Sequence, residues 1–98
     1  MQVRYRTKTL EKECTDATAA SKKYGMDMAR KIQMRVDEIR ASESVEQMLQ
    51  FRIGRCHRLK GGRKVQYAVD LVHPYRLVFE IIGSEAQIAN IIEIVDYH

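Results

Sequence analysis

No stretch of this sequence approaches the roughly 18 consecutive apolar residues of a membrane-spanning helix, so no span is expected. Cysteine is scarce. Cys14 and Cys56 are too few for a disulfide scaffold and read as free thiols of a cytoplasmic protein. The opening "MQVRYRTKTL" alternates bases with apolar residues and lacks the apolar core of a secretion signal, which argues for the same compartment. Proline occurs once, at Pro74. Aromatic residues make up 7%, which leaves few stacking platforms for a single-stranded nucleic acid. Two further absences are local. Residues 52–64, "RIGRCHRLKGGRK", hold Arg52, Arg55, Arg58, Lys60, Arg63 and Lys64 without one acid. Residues 65–98 hold five acids and a single base, Arg76. The formal charge of +4 therefore conceals a strongly positive segment beside a negative tail.

What is present describes one ordinary globular domain over residues 1–98, with 45% hydrophobic and 31% charged residues. "QVRYR" alternates and suits a short first strand with Val3 and Tyr5 on one face. From Thr9 the spacing turns helical. Leu10, Cys14, Ala17 and Tyr24 fall on one stripe, Thr9 is placed to cap, and Gly25 to stop the helix in the left-handed conformation. A second helix is expected from Asp27 to Arg40. Its buried stripe is Ala29, Ile32, Val36 and Ile39, with Arg30, Lys31, Arg35 and Arg40 mostly outside it. "SVEQ" at 44–47 has the spacing of a capping box and predicts one further short helical turn.

Beyond the basic segment the period becomes two. "VQYAVDLV" (65–72) and "YRLVFEII" (75–82) each place their odd-numbered residues on an apolar face, with His73 and Pro74 at the turn between them. Residues directly opposite in an antiparallel pair point to the same side, so odd must pair with odd, which predicts a three-residue tip. "IIEIVD" supplies a last strand. The expected fold class is α+β: a short N-terminal strand and an antiparallel helical hairpin packed on one face of a twisted antiparallel sheet, whose other face stays partly open.

In that layout the basic segment joins the helices to the first hairpin strand at the edge of the open face. Gly61 and Gly62 leave room for a close backbone approach, and the surrounding cations suit phosphate. The plainer alternative is a solvated loop. Arg76, mid-strand on the open face, suits either a substrate anion or a cross-strand ion pair with Asp70. His73 reads as a turn residue. Cys56 next to His57 lacks the spacing of zinc ligands, so neither metal nor any other cofactor is expected.

"GRCHRLKGGRKVQYAVDLVHPYRLVFE" followed by the terminal "EIVDYH" resembles the HigB-type toxins of the RelE/ParE superfamily of bacterial toxin–antitoxin systems. The resemblance rests on "CH-x-LKG", "DL-x-HPYRL-x-F" and "IVDYH" occurring in that order. It departs where relatives commonly have a polar or acidic residue at Gly62 and a glycine at Val65, and where "GSEAQIAN" replaces a longer insertion. The resemblance implies a RelE/ParE-like fold and a ribosome-dependent endoribonuclease (mRNA interferase) that cuts translated messenger RNA in the 30S A site and so inhibits translation. It also implies a cognate antitoxin as partner.

Such a cut needs an activated ribose 2′-hydroxyl, a stabilised phosphorane and a protonated leaving oxygen. Lys60, Arg63 and Arg76 are the candidates for the phosphorane charge, since a guanidinium stays charged and presents paired donors. His57, Asp96, Tyr97 and His98 match the family's functional motifs and are the candidates for proton transfer, with base and acid not assigned individually. Arg55, Arg58, Lys60, Arg63, Lys64 and Arg76 form the expected RNA-phosphate face. Two other classes share the surface description: a ParE-like toxin that poisons DNA gyrase without a catalytic set, and a non-enzymatic RNA-binding domain.

Overall fold

The computed structural model describes residues 1–62 and 64–97. In chain order they form β1 (Gln2–Tyr5), α1 (Lys8–Thr15), α2 (Ala17–Tyr24), α3 (Met26–Ala41) and α4 (Val45–Gln50). A 3-10 turn (Ile53–Arg55) follows, then β2 (His57–Arg58), β3 (Tyr67–Asp70), β4 (Tyr75–Ile82) and β5 (Ile88–Asp96). The fold is α+β, four α-helices and one five-stranded sheet in the order β1-β5-β4-β3-β2. The sheet is mixed rather than wholly antiparallel. The helices carry the chain across the sheet, so β1 returns beside β5 in parallel, Gln2 opposite Ile88 and Tyr5 opposite Ile91.

The helix expected to start at Thr9 is two helices. Asp16 adopts extended angles (φ −114°, ψ 104°), ends α1, and caps α2 by accepting from the Thr18 and Ala19 N–H groups at 2.9 and 3.3 Å. A short carboxylate that competes for backbone donors breaks a helix where the periodicity would continue it. The N-cap of α1 is Thr7, not Thr9, its hydroxyl accepting from the Leu10 N–H at 3.1 Å. The break also moves the buried stripe: Ala20 is buried where Ala17, exposed, was expected. Gly25 has positive φ (91°) but an extended ψ (166°), so it separates α2 from α3 without entering the left-handed helical region.

α3 buries Ala29, Ile32, Val36 and Ile39 as the spacing predicts, and Met28 with them. These pack with Val45 and Met48 of α4 on Val69, Leu77, Phe79, Ala89 and Ile91 of the sheet. Each fully buried Ile, Leu or Phe contributes about 1.5–3 kcal/mol of transfer free energy, so this single layer is the main cohesive term. At Ser44 the hydroxyl accepts from the Gln47 N–H (3.1 Å), while the Gln47 side chain accepts from Glu43, one residue before the expected capping-box partner.

The hairpin register is odd with odd: Tyr67 faces Phe79 and Val69 faces Leu77. The Leu71 N–H donates to the Tyr75 carbonyl (3.0 Å), leaving Val72, His73 and Pro74 as the tip. β3 is shorter than the alternation suggested, with Val65 and Val72 exposed beyond its ends. The β4–β5 pairing steps once, from Val78–Glu93 to Phe79–Ile91, passing over Ile92. Such a bulge reverses the alternation. Ala89 and Ile91 face the helices before it, Ile94 after it. The opposite face is less open than expected, because Ala68 and Val78 on it are fully buried.

Candidate functional site

The chain reaches this second face through a tight connection. Arg52, Gly54 and Arg55 have φ of 52°, 60° and 56°, all left-handed. For arginine this conformation costs on the order of 1 kcal/mol or more and needs support from its surroundings. Arg35 of α3 packs under this turn at Gly54. Its side chain is 14% exposed, its Nε donates to the Asp70 carbonyl at 2.6 Å, and its Nη1 pairs with Glu38 at 2.6 Å. Gly54 lies against it so closely that a Cβ there would sit 2.9 Å from the Arg35 Cδ. Arg35 was expected to lie mostly outside the buried stripe. It lies three residues after Ile32, and that spacing turns it inward.

From this turn the chain enters β2, where His57 pairs with Ala68. Asp70 pairs with Arg76 across β3 and β4. His57, Asp70 and Arg76 thus share the face away from the helices. The bulge at Ile92 gives Val95 that face too, opposite Arg76, and carries Tyr97 to the same side. There the Arg76 guanidinium stands over the Tyr97 ring, 4.7 Å from its centre. Arg76 Nη1 lies 3.5 Å from His57 Nε2, the long end of a hydrogen bond. His57 Nδ1 is 3.0 Å from the Arg55 carbonyl. A carbonyl only accepts, so Nδ1 carries the proton, and the Nε2 lone pair is turned toward Arg76. The Asp70 carboxylate lies between two arginines, 3.3 Å from Arg55 Nε and 3.7 Å from Arg76 Nε. A cleft of about 290 Å³ opens beside this group, lined among others by Arg55, Asp70, His73, Pro74, Arg76 and Tyr97.

Of the residues singled out from sequence, His57, Arg55, Arg76 and Tyr97 are therefore brought together. Of the two alternatives for Arg76, the cross-strand pair with Asp70 is present, and it leaves Arg76 lining the cleft. Arg58, Lys60 and Lys64 are exposed and line a different depression of about 390 Å³, on the loop that follows β2. Gly61, at φ +87° with nothing within 4 Å of its Cβ position, bends that loop. Asp96 pairs with Tyr75, a register position on the helix side of the sheet, whereas Tyr97 falls on the other side. Arg63 and His98 lie outside the described residues. Asp70 was named from sequence only as an alternative partner for Arg76. Its signal was its position, six residues before Arg76 across a three-residue tip.

Cys56, one residue before His57, is buried, and burial pushes its thiol up to about 11. It is an inert core residue beside the site. Among the described residues no group of three or more His, Cys, Asp or Glu side chains is placed to hold a metal ion. No described helix is long and apolar enough to cross a membrane. Comparison with protein-family models, curated proteins and solved structures gave no match in any of the three.

Proposed function

We propose that this chain is the toxin of a type II toxin–antitoxin system, a ribosome-dependent endoribonuclease of the HigB type with a RelE/ParE-like fold. The observation that carries this reading is the meeting of His57, Arg76 and Tyr97 on one sheet face, beside a cleft with a second arginine. In this reading the His57 Nε2 lone pair takes the proton of a ribose 2′-hydroxyl. Arg76 holds the phosphate and then the phosphorane, where its fixed charge acts without reorganisation. Tyr97, whose ring lies against Arg76, contributes its hydroxyl to the same phosphate. Lys60 and its neighbours grip the flanking backbone from the glycine-hinged loop. A ribosome that presents messenger RNA in the 30S A site supplies the positioning, so a modest intrinsic affinity suffices. The cognate antitoxin silences the protein in the cytoplasm by covering the helices or this face.

Primer-extension mapping of a transcript during in vitro translation tests the reading, with wild type, His57→Ala and Arg76→Ala. Ribosome-dependent cuts that fall at least 100-fold in both variants are expected. Cuts undiminished in both would remove the site assignment. The absence of cuts, with growth arrested on expression, would move the gyrase-poison class to the front.

A further inference from the structure

The Arg55–Asp70–Arg76 group has a feature that phosphate binding alone does not require: a carboxylate fixed between the two cations. Asp70 is held from behind by its own backbone. Its carbonyl accepts from Arg35 Nε, and its strand pairs with β4 at Arg76. The carboxylate therefore stays at the cleft whether or not an anion is bound. It meets each guanidinium on the Nε edge, and both contacts are long, 3.3 and 3.7 Å. Arg55 is 85% exposed and both contacts are long, so these pairs hold little energy; they leave the Nη donors of Arg55 and Nη2 of Arg76 for a ligand, with Arg76 Nη1 beside His57. With histidines neutral, the charged groups among the described residues lining the cleft are Arg55, Arg76 and Asp70. Their sum is +1.

We propose that Asp70 sets the specificity of this cleft: it lowers the cleft's positive charge by one unit, and so selects an internal phosphodiester over a terminal phosphate monoester. This rests on the reading of the cleft as a phosphate site given above. A phosphodiester carries one negative charge at every physiological pH. A monoester carries up to two. Both are drawn by the two guanidiniums, but the repulsion from Asp70 acts twice on the dianion. The cleft thereby avoids capture by nucleotides and by phosphorylated chain ends, and keeps its affinity for the middle of a strand.

The test is an NMR titration of the full chain near pH 8, where ordinary imidazoles are neutral and a monoester is a dianion. Two probes are compared: the thymidylyl-thymidine dinucleotide, a diester without a 2′-hydroxyl and so not cleavable, and thymidine monophosphate. Asp70→Asn is expected to tighten the diester about threefold and the monoester about tenfold, because one removed charge acts once on the first and twice on the second. Arg55→Gln, at an exposed side chain that leaves the fold intact, shifts the ratio the other way and disfavours the monoester most. Glu85→Gln, the same charge change on the β4–β5 loop, leaves the ratio where it is. An unchanged ratio in Asp70→Asn, or weaker binding of both probes by a variant with a dispersed spectrum, would overturn the proposal. If Asp70→Asn does not fold, an unchanged ratio in Arg55→Gln does the same. A shifted ratio in a protein that cuts no transcript leaves this selectivity standing and sinks the nuclease reading. Cleavage with no shift in ratio removes Asp70 from its role and leaves the nuclease.

Discussion

The Arg76 guanidinium carbon stands 4.7 Å from the centre of the Tyr97 ring, and a one-residue step in β5 is what puts the ring there. With regular alternation, residue 97 would share the helix-side face of Ala89 and Ile91, and residue 96 would lie on the sheet face of Arg76. The step over Ile92 exchanges them. Deletion of Ile92 removes the unpaired residue and leaves Val95 opposite Arg76, so the Arg76–Tyr97 contact is expected to persist on an unbulged strand, read as retained nuclear Overhauser effects between the two side chains. Tyr97→Phe keeps the ring and therefore the contact. Tyr97→Ala loses about 0.5–1 kcal/mol in urea unfolding, the size of a partly exposed cation–π pair. Loss of the contact after the deletion would show that the pairing of residues 93–96 with β4 does not set this face.

Arg35 joins the helix layer to the site through two short bonds, to the Asp70 carbonyl and to Glu38. Both bonds involve a charged donor, and the side chain is largely buried. Arg35→Met is expected to destabilise the protein by about 2–4 kcal/mol, since it strands the Asp70 carbonyl and removes the packing surface under Gly54. Lysine should recover less than half of this. A single ammonium on a flexible stem does not reproduce a planar fork that reaches two acceptors in fixed directions. Chemical denaturation of the three proteins decides it, and equal stability of the Lys variant and wild type would refute the geometric argument.

How far the sequence revealed this depends on what each residue had to decide. Alternation in 65–82 fixed the hairpin register, because an odd–even slip would bury Asp70 and Arg76. The β5 step was hidden for the opposite reason. "IANIIEIV" is apolar at too many positions for its parity to be read. Asp16 was a choice between helix interior and cap that periodicity cannot make. Arg35 carried contradictory signals: its charge pointed outward and its spacing inward. At the site, motif resemblance named His57, Arg76 and Tyr97, and the structure brings them together. It did not separate Lys60 from them, because the loop of Gly61 and Gly62 has no period that would reveal its direction. Asp70 was visible only as a partner, since a carboxylate among the cations of a proposed phosphate site runs against simple charge matching.

Gly54 and Gly61 both have positive φ, 60° and 87°, yet their surroundings differ. At Gly61 an added Cβ meets nothing within 4 Å, so Gly61→Ala bears only the conformational cost, about 1 kcal/mol. At Gly54 the same Cβ would lie 2.9 Å from Arg35 Cδ and 3.2 Å from Val69 Cβ. Gly54→Ala is expected to cost at least about 2 kcal/mol, and to shift the amide resonances of Asp70 and His57 as Arg35 is displaced. Equal losses for the two variants in urea unfolding would mean that the packing of Gly54 on Arg35 is not tight.

The buried thiols make a prediction about alkaline pH. Burial pushes Cys56 up to about 11, and burial together with the Glu13 charge pushes Cys14 up to about 12. An unfolded thiol ionises near 8.5. Below that pH both states are protonated and the thiols have no effect on stability. Above it the unfolded chain loses its protons first, so stability falls as pH rises from about 8.5 toward the folded values. Tyr5 and Tyr24, raised by burial, act in the same direction only above about pH 10. So does Lys23, raised by its hydrogen bond to Glu13: its contribution is complete below the free lysine value and is lost above it. The interval from pH 8.5 to 10 therefore isolates the cysteines. The urea midpoint is expected to drop across it in wild type and much less in a Cys14→Ala, Cys56→Ala double variant. At pH 8 a thiol-specific disulfide reagent should label neither cysteine in the native protein and both in urea. Prompt labelling of native Cys56 would instead place a reactive thiolate beside His57, and the chemistry of this face would then have to include it.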